Sequence, residues 1–418
     1  MHPAPHPGRA TVWAAAWPIT AVFVLSNAAT PLYGLWQREI GFGTGTMTVV
    51  FACYIAGLLG ALLFAGALSD RIGRRPVLLP ALGLAAAASA LFAVADSVSL
   101  LALARLLTGL AVGATVSAGM AAVSDVAGPG RRSQGSLLAS TAMVLGAGLG
   151  PLLAGVVSET LPGPTVTVFL IELVLLAAAI AVTLRLPLPR PVRVAASRRV
   201  VRIPFVPRDT RGYLAAGTAV FAPGITATSF VLSLGPALLG DLLGATGRTA
   251  AGAMAFVMFA AATGVQFAVR GRPVGPILLG AAAVTATAMA TLVVAVRASS
   301  AVALIAAAVL AGAGQGLGQL GGLTLLATHV PGARRAEANA SLNGGGYLLA
   351  GTLPVAAGYL SGAAGLRTGA TVFAVVLGGL ALLGTGLVRW GLKAGTTPRP
   401  RRPAVMCAAE PAGEGART

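Results

Sequence analysis

Long apolar runs, separated by short polar ones, dominate this chain. A helix that crosses a bilayer needs about 20 mostly apolar residues. On that scale the runs predict spanning helices over 11–36, 46–68, 77–95, 99–124, 134–158, 164–186, 212–239, 249–269, 274–296, 301–328, 336–360 and 368–390. These are twelve, and the run from Ala250 to Val269 is the weakest. The first run extends past 20 residues and holds Trp13, Trp17, Pro18 and Pro31. A cleavable signal has an apolar stretch of only about 7–15 residues, so a retained first span is predicted.

The basic residues test this count, because cytoplasmic loops collect Arg and Lys. With the N-terminus cytoplasmic, one face takes Arg9, Arg71, Arg74, Arg75, Arg131, Arg132, the eight arginines from Arg185 to Arg211, Arg270, Arg272, Arg334, Arg335 and the tail, 24 in all. The other face takes four, Arg38, Arg248, Arg297 and Arg367, and Arg105 lies within a span. A miscounted helix would scramble a 24-to-4 division. Both termini are therefore predicted cytoplasmic, in a multi-pass protein of the cell membrane.

The longest internal polar stretch, Pro187 to Arg211, divides the chain midway. The predicted units are a cytoplasmic segment (1–10), a six-helix bundle (11–186), a central cytoplasmic loop (187–211), a second six-helix bundle (212–390) and a basic cytoplasmic tail (391–418). The halves resemble each other. Pro18 and Pro31 are 13 apart, as are Pro223 and Pro236, 205 residues on. At an offset of 203, Arg131-Arg132 meets Arg334-Arg335, Gly109 meets Gly312, Gly113 meets Gly316, and Pro151, Gly155 and Ser158 meet Pro354, Gly358 and Ser361. Six spans per half give the repeats the same orientation, the parallel arrangement about an axis along the membrane normal.

Composition agrees. Of 418 residues 56% are apolar and 10% charged, with mean hydropathy +0.86; a soluble domain carries about 25% charged residues. This excludes a soluble enzyme, a nucleic-acid-binding domain and a disordered scaffold. The net charge of +18 lies in the loops and ends. Cys53 and Cys407 cannot frame a set of bridges, and His2, His6 and His329 lie too far apart to suggest a metal site. No G-x-x-x-x-G-K-[ST], G-x-S-x-G or H-E-x-x-H occurs, and Lys393 is the sole lysine, so neither ATP-driven transport nor these hydrolytic chemistries are predicted, and no cofactor. The tail Pro398-Arg-Pro-Arg-Arg-Pro403 suits anionic headgroups; without aromatics to stack on bases it does not suit nucleic acid.

The sharpest motif is Gly66-Ala-Leu-Ser-Asp70-Arg71-Ile-Gly73-Arg74-Arg75, after the second span. An ordinary charged turn would explain its arginines but not the Asp and two glycines at this spacing. The stretch resembles the G-x-L-x-D-R-x-G-R-[KR] signature of the major facilitator superfamily at every defining position. The resemblance implies an all-α fold of twelve transmembrane helices in two pseudo-symmetric six-helix bundles. It also implies that Asp70 sits against the N-terminus of a helix in the other half, and that Arg74 pairs with an acid ending span four, Asp125. Such contacts would latch the cytoplasmic ends together and break when the cavity opens inward.

Arg105 precedes Gly109 in a pattern resembling the family's R-x-x-x-G. A charge at mid-helix costs about 2.5–3.5 kcal/mol, so Arg105 either faces a polar interior, with a role in proton or substrate coupling, or snorkels outward. Gly146-x-x-x-Gly150-Pro151-x-x-Ala154-Gly155 resembles G-x-x-x-G-P-x-x-G-G, associated with the family's exporters, with Ala154 a departure. Glycines four apart also serve plain helix packing. Glu172, the only acid well inside an apolar run, is a proton-carrier candidate or a structural partner, since an isolated carboxylate there is costly. Many proton-coupled relatives place an acid in span one, where this chain has Asn27. Asn27, Thr30 and Tyr33, and Gln315 with Gln319 on one face of span ten, would contact an amphipathic substrate or tie helices together.

The expectation is a drug-efflux type secondary transporter, working as a monomer in the bilayer on a small-molecule substrate and protons. The alternatives are the same fold importing a nutrient and, more remotely, a membrane enzyme acting on lipid-linked substrates.

Overall fold

The structure, a computed structural model, describes residues 9–188, 211–243, 247–330 and 335–394. The two ends and most of the central loop lie outside the described residues. Among the described residues all regular structure is helical.

The first crossing is broken. It comprises α1 (Arg9–Ala28), a 3₁₀ turn (Thr30–Leu32) and α2 (Tyr33–Ile40), where the sequence pattern predicted one helix over 11–36. Pro31 explains the break, since it has no N–H to give the Asn27 carbonyl and its ring crowds the preceding turn. The other crossings are α3 (Thr44–Ile72), α4 (Arg75–Ala93), α5 (Val98–Ala127), α6 (Arg132–Thr160), α7 (Pro164–Arg185), α8 (Arg211–Leu243), α9 (Arg248–Ala268), α10 (Val274–Arg297), α11 (Ala301–His329), α12 (Arg335–Ala364) and α13 (Leu366–Ala394). Eleven of the twelve crossings are long and apolar enough to span a membrane by composition alone. The exception, α12, has 30 residues, with Glu337, Asn339, Asn343 and three consecutive glycines in its first half. It packs on α3, α8 and α13 as a full member of the assembly.

Twelve crossings put both described ends on one face, the terminal face, with the α3–α4 loop; the α2–α3 and α6–α7 connections mark the opposite face. In the first half α3 packs on α5, α4 on α5 and α7, and α1 on α5, α6 and α7. In the second half α9 packs on α11, α10 on α11 and α13, and α8 on α11, α12 and α13. These are the same neighbour relations, so the repeat in the sequence is a repeat in the fold.

The matched glycines do matched work. A Cβ on Gly109 would strike the Tyr54 carbonyl of α3 and one on Gly113 the Leu58 carbonyl; on α11, Gly312 meets the Met258 carbonyl of α9 and Gly316 that of Ala262. Small residues let helix backbones approach closely where apolar lipid supplies no hydrophobic drive. The halves meet along two seams, α6 on α9 and α3 on α12, which exchange under the repeat.

Candidate functional site

The α3–α4 loop turns at Gly73, whose φ of 101° lies in the region that favours glycine. The turn brings Arg74 to the end of α5. Its Nε donates to Asp125 Oδ2 at 3.1 Å, and its Nη1 donates to Asp70 Oδ1 at 2.6 Å and Ser69 Oγ at 3.0 Å. Burial works against the Arg74 charge, but the bonds and charges of Asp70 and Asp125 outweigh it and hold the guanidinium above its usual pKa. Arg75 donates to the Leu186 carbonyl at 2.5 Å, closing the loop onto the end of α7. Arg71 is half-buried in the last turn of α3, and a Cβ on Gly66 would meet open space. All these contacts lie within the first half. The Asp70 side chain is 72% exposed and bonds to Arg74.

Arg105 is fully buried, which removes the snorkelling alternative. Its Nε donates to the Tyr33 hydroxyl at 2.5 Å and its Nη1 to the Ser26 carbonyl at 2.7 Å, while Nη2 has no hydrogen-bond partner. Its guanidinium carbon lies 5.1–5.7 Å from the ring centres of Tyr33, Phe51 and Phe92, within cation–π range. Phe92 stacks on Phe169 at 4.8 Å and both stack on Trp36. Glu172, one turn beyond Phe169 on α7, is also fully buried, and neither carboxyl oxygen has a hydrogen-bond partner. Leaving an ionised carboxylate so placed costs several kcal/mol, a cost the neutral acid avoids.

The export-type motif lies on two faces of α6. Gly146 and Gly150 press on the Thr20 and Val24 carbonyls of α1, while Gly155 meets Arg248 and the Pro151 carbonyl faces Gly252, both on α9. Ala154, in the place of a glycine, is fully buried. The motif therefore sits where α6 joins its own half to the other. Of the neutral candidates, Asn27 ties two helices, its Nδ2 donating to the Ala147 carbonyl of α6 at 3.4 Å and to Ser26 Oγ; Gln315 Nε2 donates to Gln319 Oε1 at 3.4 Å within α11, and Thr30 is buried with its hydroxyl unpartnered.

Sequence reasoning missed a junction on the opposite face. Glu159, near the end of α6, accepts from the Thr249 backbone N–H at 3.0 Å and from the Thr249 hydroxyl, while Arg248 Nη2 donates to the Ser158 carbonyl at 2.7 Å. A carboxylate of one half thus caps the first turn of α9 in the other, where exposed N–H groups and the helix dipole favour an anion. On the second seam, toward the same face, Gly358 of α12 packs on Thr48 of α3, and Gly45 on Tyr359. The ninety residues between the partners left no local signal, although Glu159 and Arg248 both stand in predicted loops of one face.

Two like bundles joined along two seams, with a buried cation between aromatic rings and a closed junction at one face, define a polytopic transporter of the two-bundle type. The chain belongs to the Major Facilitator Superfamily, whose family model matches residues 16–275. Among curated proteins it is 34% identical over 151 residues to the bovine (Bos taurus) Major facilitator superfamily domain-containing protein 10, covering 32% of this chain and 33% of that one. It is 31% identical over 96 residues to the Escherichia coli multidrug resistance protein MdtL, covering 23% and 25%. The matches thus span about a third or less of these relatives. A bacterial homologue of the human lysosomal transporter Spinster, solved inward-facing and unoccupied, superposes over 95% of this chain and all of its own, with TM-score 0.70 and 15% identity, a likeness of fold.

Proposed function

We propose that this transporter exports a small amphipathic solute across the cell membrane by alternating access, in exchange for protons, with both termini cytoplasmic and a single chain as the working unit. The observation that carries the reading is the junction between the halves at the opposite face. Two seams are built from equivalent helices, and one of them, α6 on α9, is tied at the opposite face by Glu159, Thr249, Arg248 and Ser158. Two bundles that close at one end at a time move a solute without opening a continuous pore.

Direction rests on the α6 motif, Gly146, Gly150, Pro151 and Gly155, placed at the seam that must flex, and on the likeness of part of the chain to MdtL. Arg74 with Asp70 and Asp125 biases which face closes. Arg105 and Tyr33 form the buried polar centre of the first half, with Glu172 as proton carrier in place of an acid in the first crossing, where Asn27 is a helix tie. Proteoliposomes loaded with a solute panel, under an imposed pH gradient, test the reading. Solute movement against its own gradient, in the sense opposite to proton flow, is expected. Movement in the same sense as protons would make the chain an importer, and movement indifferent to the gradient would remove proton exchange.

A further inference from the structure

A cavity of about 310 Å³ opens at the opposite face between the first crossing and α8, capped by the start of α9. Its walls are mostly apolar, with Met47 and Pro236 among them, and its polar lining includes Gln37, Arg38 and Arg248. Two of the four basic residues that the chain places on this face line this one cavity, and no carboxylate does so among the described residues. Of the acids nearest in sequence, Asp241 is paired with Arg367 at 3.0 Å and Glu39 is not part of the lining, while Glu159, outside the lining and held by Thr249, offsets part of the Arg248 charge and leaves that of Arg38.

A third cation stands behind the wall. Tyr33 lines the cavity, and its hydroxyl accepts from Arg105, a fully buried guanidinium with one N–H group unpartnered. Apolar walls of low dielectric around charges of one sign focus the field into a cleft. A guanidinium also presents a planar fork that matches the oxygens of a carboxylate, sulfonate or phosphate ester. The volume stands at the small end of ligand pockets, enough for a solute of one or two rings.

We infer that this cavity binds a small aromatic or aliphatic organic anion, with Arg38 and Arg248 on the charged group and the apolar wall on the body. The inference deepens the transporter reading by naming the charge of the solute that occupies the opposite-face vestibule, and it rests on that reading only for its physiological meaning, since binding is measured without transport.

The test is isothermal titration of the full chain in lipid nanodiscs with three probes of one shape: naphthalene-2-sulfonate, 2-naphthalenemethanol and 2-naphthylmethylammonium. The sulfonate is expected to bind at least about tenfold more tightly than the other two, and to weaken as salt rises. Arg38→Gln should weaken it roughly five- to tenfold. Ala237→Asp, which sets a carboxylate in the wall, should turn the preference toward the ammonium. Arg248 also ties the two halves, so Arg38 and Ala237 are the cleaner positions. Equal or tighter binding of the ammonium, or a sulfonate affinity unmoved by both variants, overturns the inference. Sulfonate binding that persists when proton-driven export fails upholds the site against a failed transport reading; export that persists without sulfonate binding removes the site alone.

Discussion

Glu159→Ala removes the carboxylate that ties α6 to α9 across the two halves. It deletes the bond from the Thr249 N–H at 3.0 Å, the bond from the Thr249 hydroxyl, and the charge at the start of α9. A net hydrogen bond contributes about 0.5–1.5 kcal/mol and an anion at a helix N-terminus about 0.3–1 kcal/mol. Because Glu159 is exposed, the low end of each range applies, for a total near 1–2 kcal/mol. Spent on one side of a two-state equilibrium, that shifts the ratio of open to closed opposite face by roughly 5- to 30-fold. The readout is the rate at which a membrane-impermeant maleimide, added outside, labels Ser229→Cys, buried on α8 one turn deeper than the cavity wall at Ser233, in a background free of Cys53 and Cys407. Labelling should quicken by a factor in that range with Glu159→Ala, and by less with Glu159→Gln, which keeps the acceptor oxygen. Asp241→Ala is the control: it breaks an exposed pair on the same face, but one made within the second half, between α8 and α13. It should leave labelling unchanged. Equal labelling of wild type and Glu159→Ala, or equal effects of the two alanine variants, would refute the assignment of the junction.

Three further outcomes follow from the same geometry. Gly150→Ala places a methyl against the Val24 carbonyl and should destabilise the folded protein by about 1–3 kcal/mol, read as a lower thermal midpoint, whereas Gly66→Ala, beside open space, should leave the midpoint where it is. Arg105→Ala should lower transport at least about tenfold with the protein still in the membrane, and Arg105→Lys should fail to restore it, because an ammonium cannot replace a fork that reaches both the Tyr33 hydroxyl and the Ser26 carbonyl. Glu172→Gln should preserve solute exchange in the absence of a gradient while abolishing proton-driven accumulation in proteoliposomes; undiminished driven accumulation would take the proton from Glu172.

Much of the fold could be read from the chain because a bilayer imposes a length on every crossing and a sign on every loop. Apolar runs near 20 residues, punctuated by arginines, leave little freedom in the count, and the paired prolines and glycines at nearly constant offset gave away the repeat. What periodicity could not supply was the consequence of each proline. Pro18, Pro151, Pro223, Pro236 and Pro354 all stay inside helices, whereas Pro31 breaks one, because tertiary packing decides whether freed backbone groups find other partners. The sequence pattern made the run over Ala250 to Val269 the weakest, whereas that helix, α9, is apolar enough to span and α12, read as an apolar run over 336–360, is the one that falls short. The loop motif named its residues, but the bonds of Arg74 to Asp125, 51 residues on, and to Asp70 come from the packing of α3 and α5. The asparagine and glutamine candidates could not be sorted in advance, since a buried amide that ties two helices and one that awaits a solute look alike in sequence. The Glu159 junction was invisible for a different reason: its partners are brought together only by the packing of the two halves.

If the two bundles close at one face at a time, paired distances measured at both faces of one sample move in opposite senses. Spin labels at Thr160 and Thr368, exposed positions in the two halves at the opposite face, and at Gln134 and Phe267, exposed positions toward the terminal face, report both ends by double electron–electron resonance. On a step in pH or addition of a transported solute, the opposite-face distance should lengthen as the terminal-face distance shortens. Distances that rise and fall together, or that stay fixed while solute is transported, would contradict closure at one face at a time.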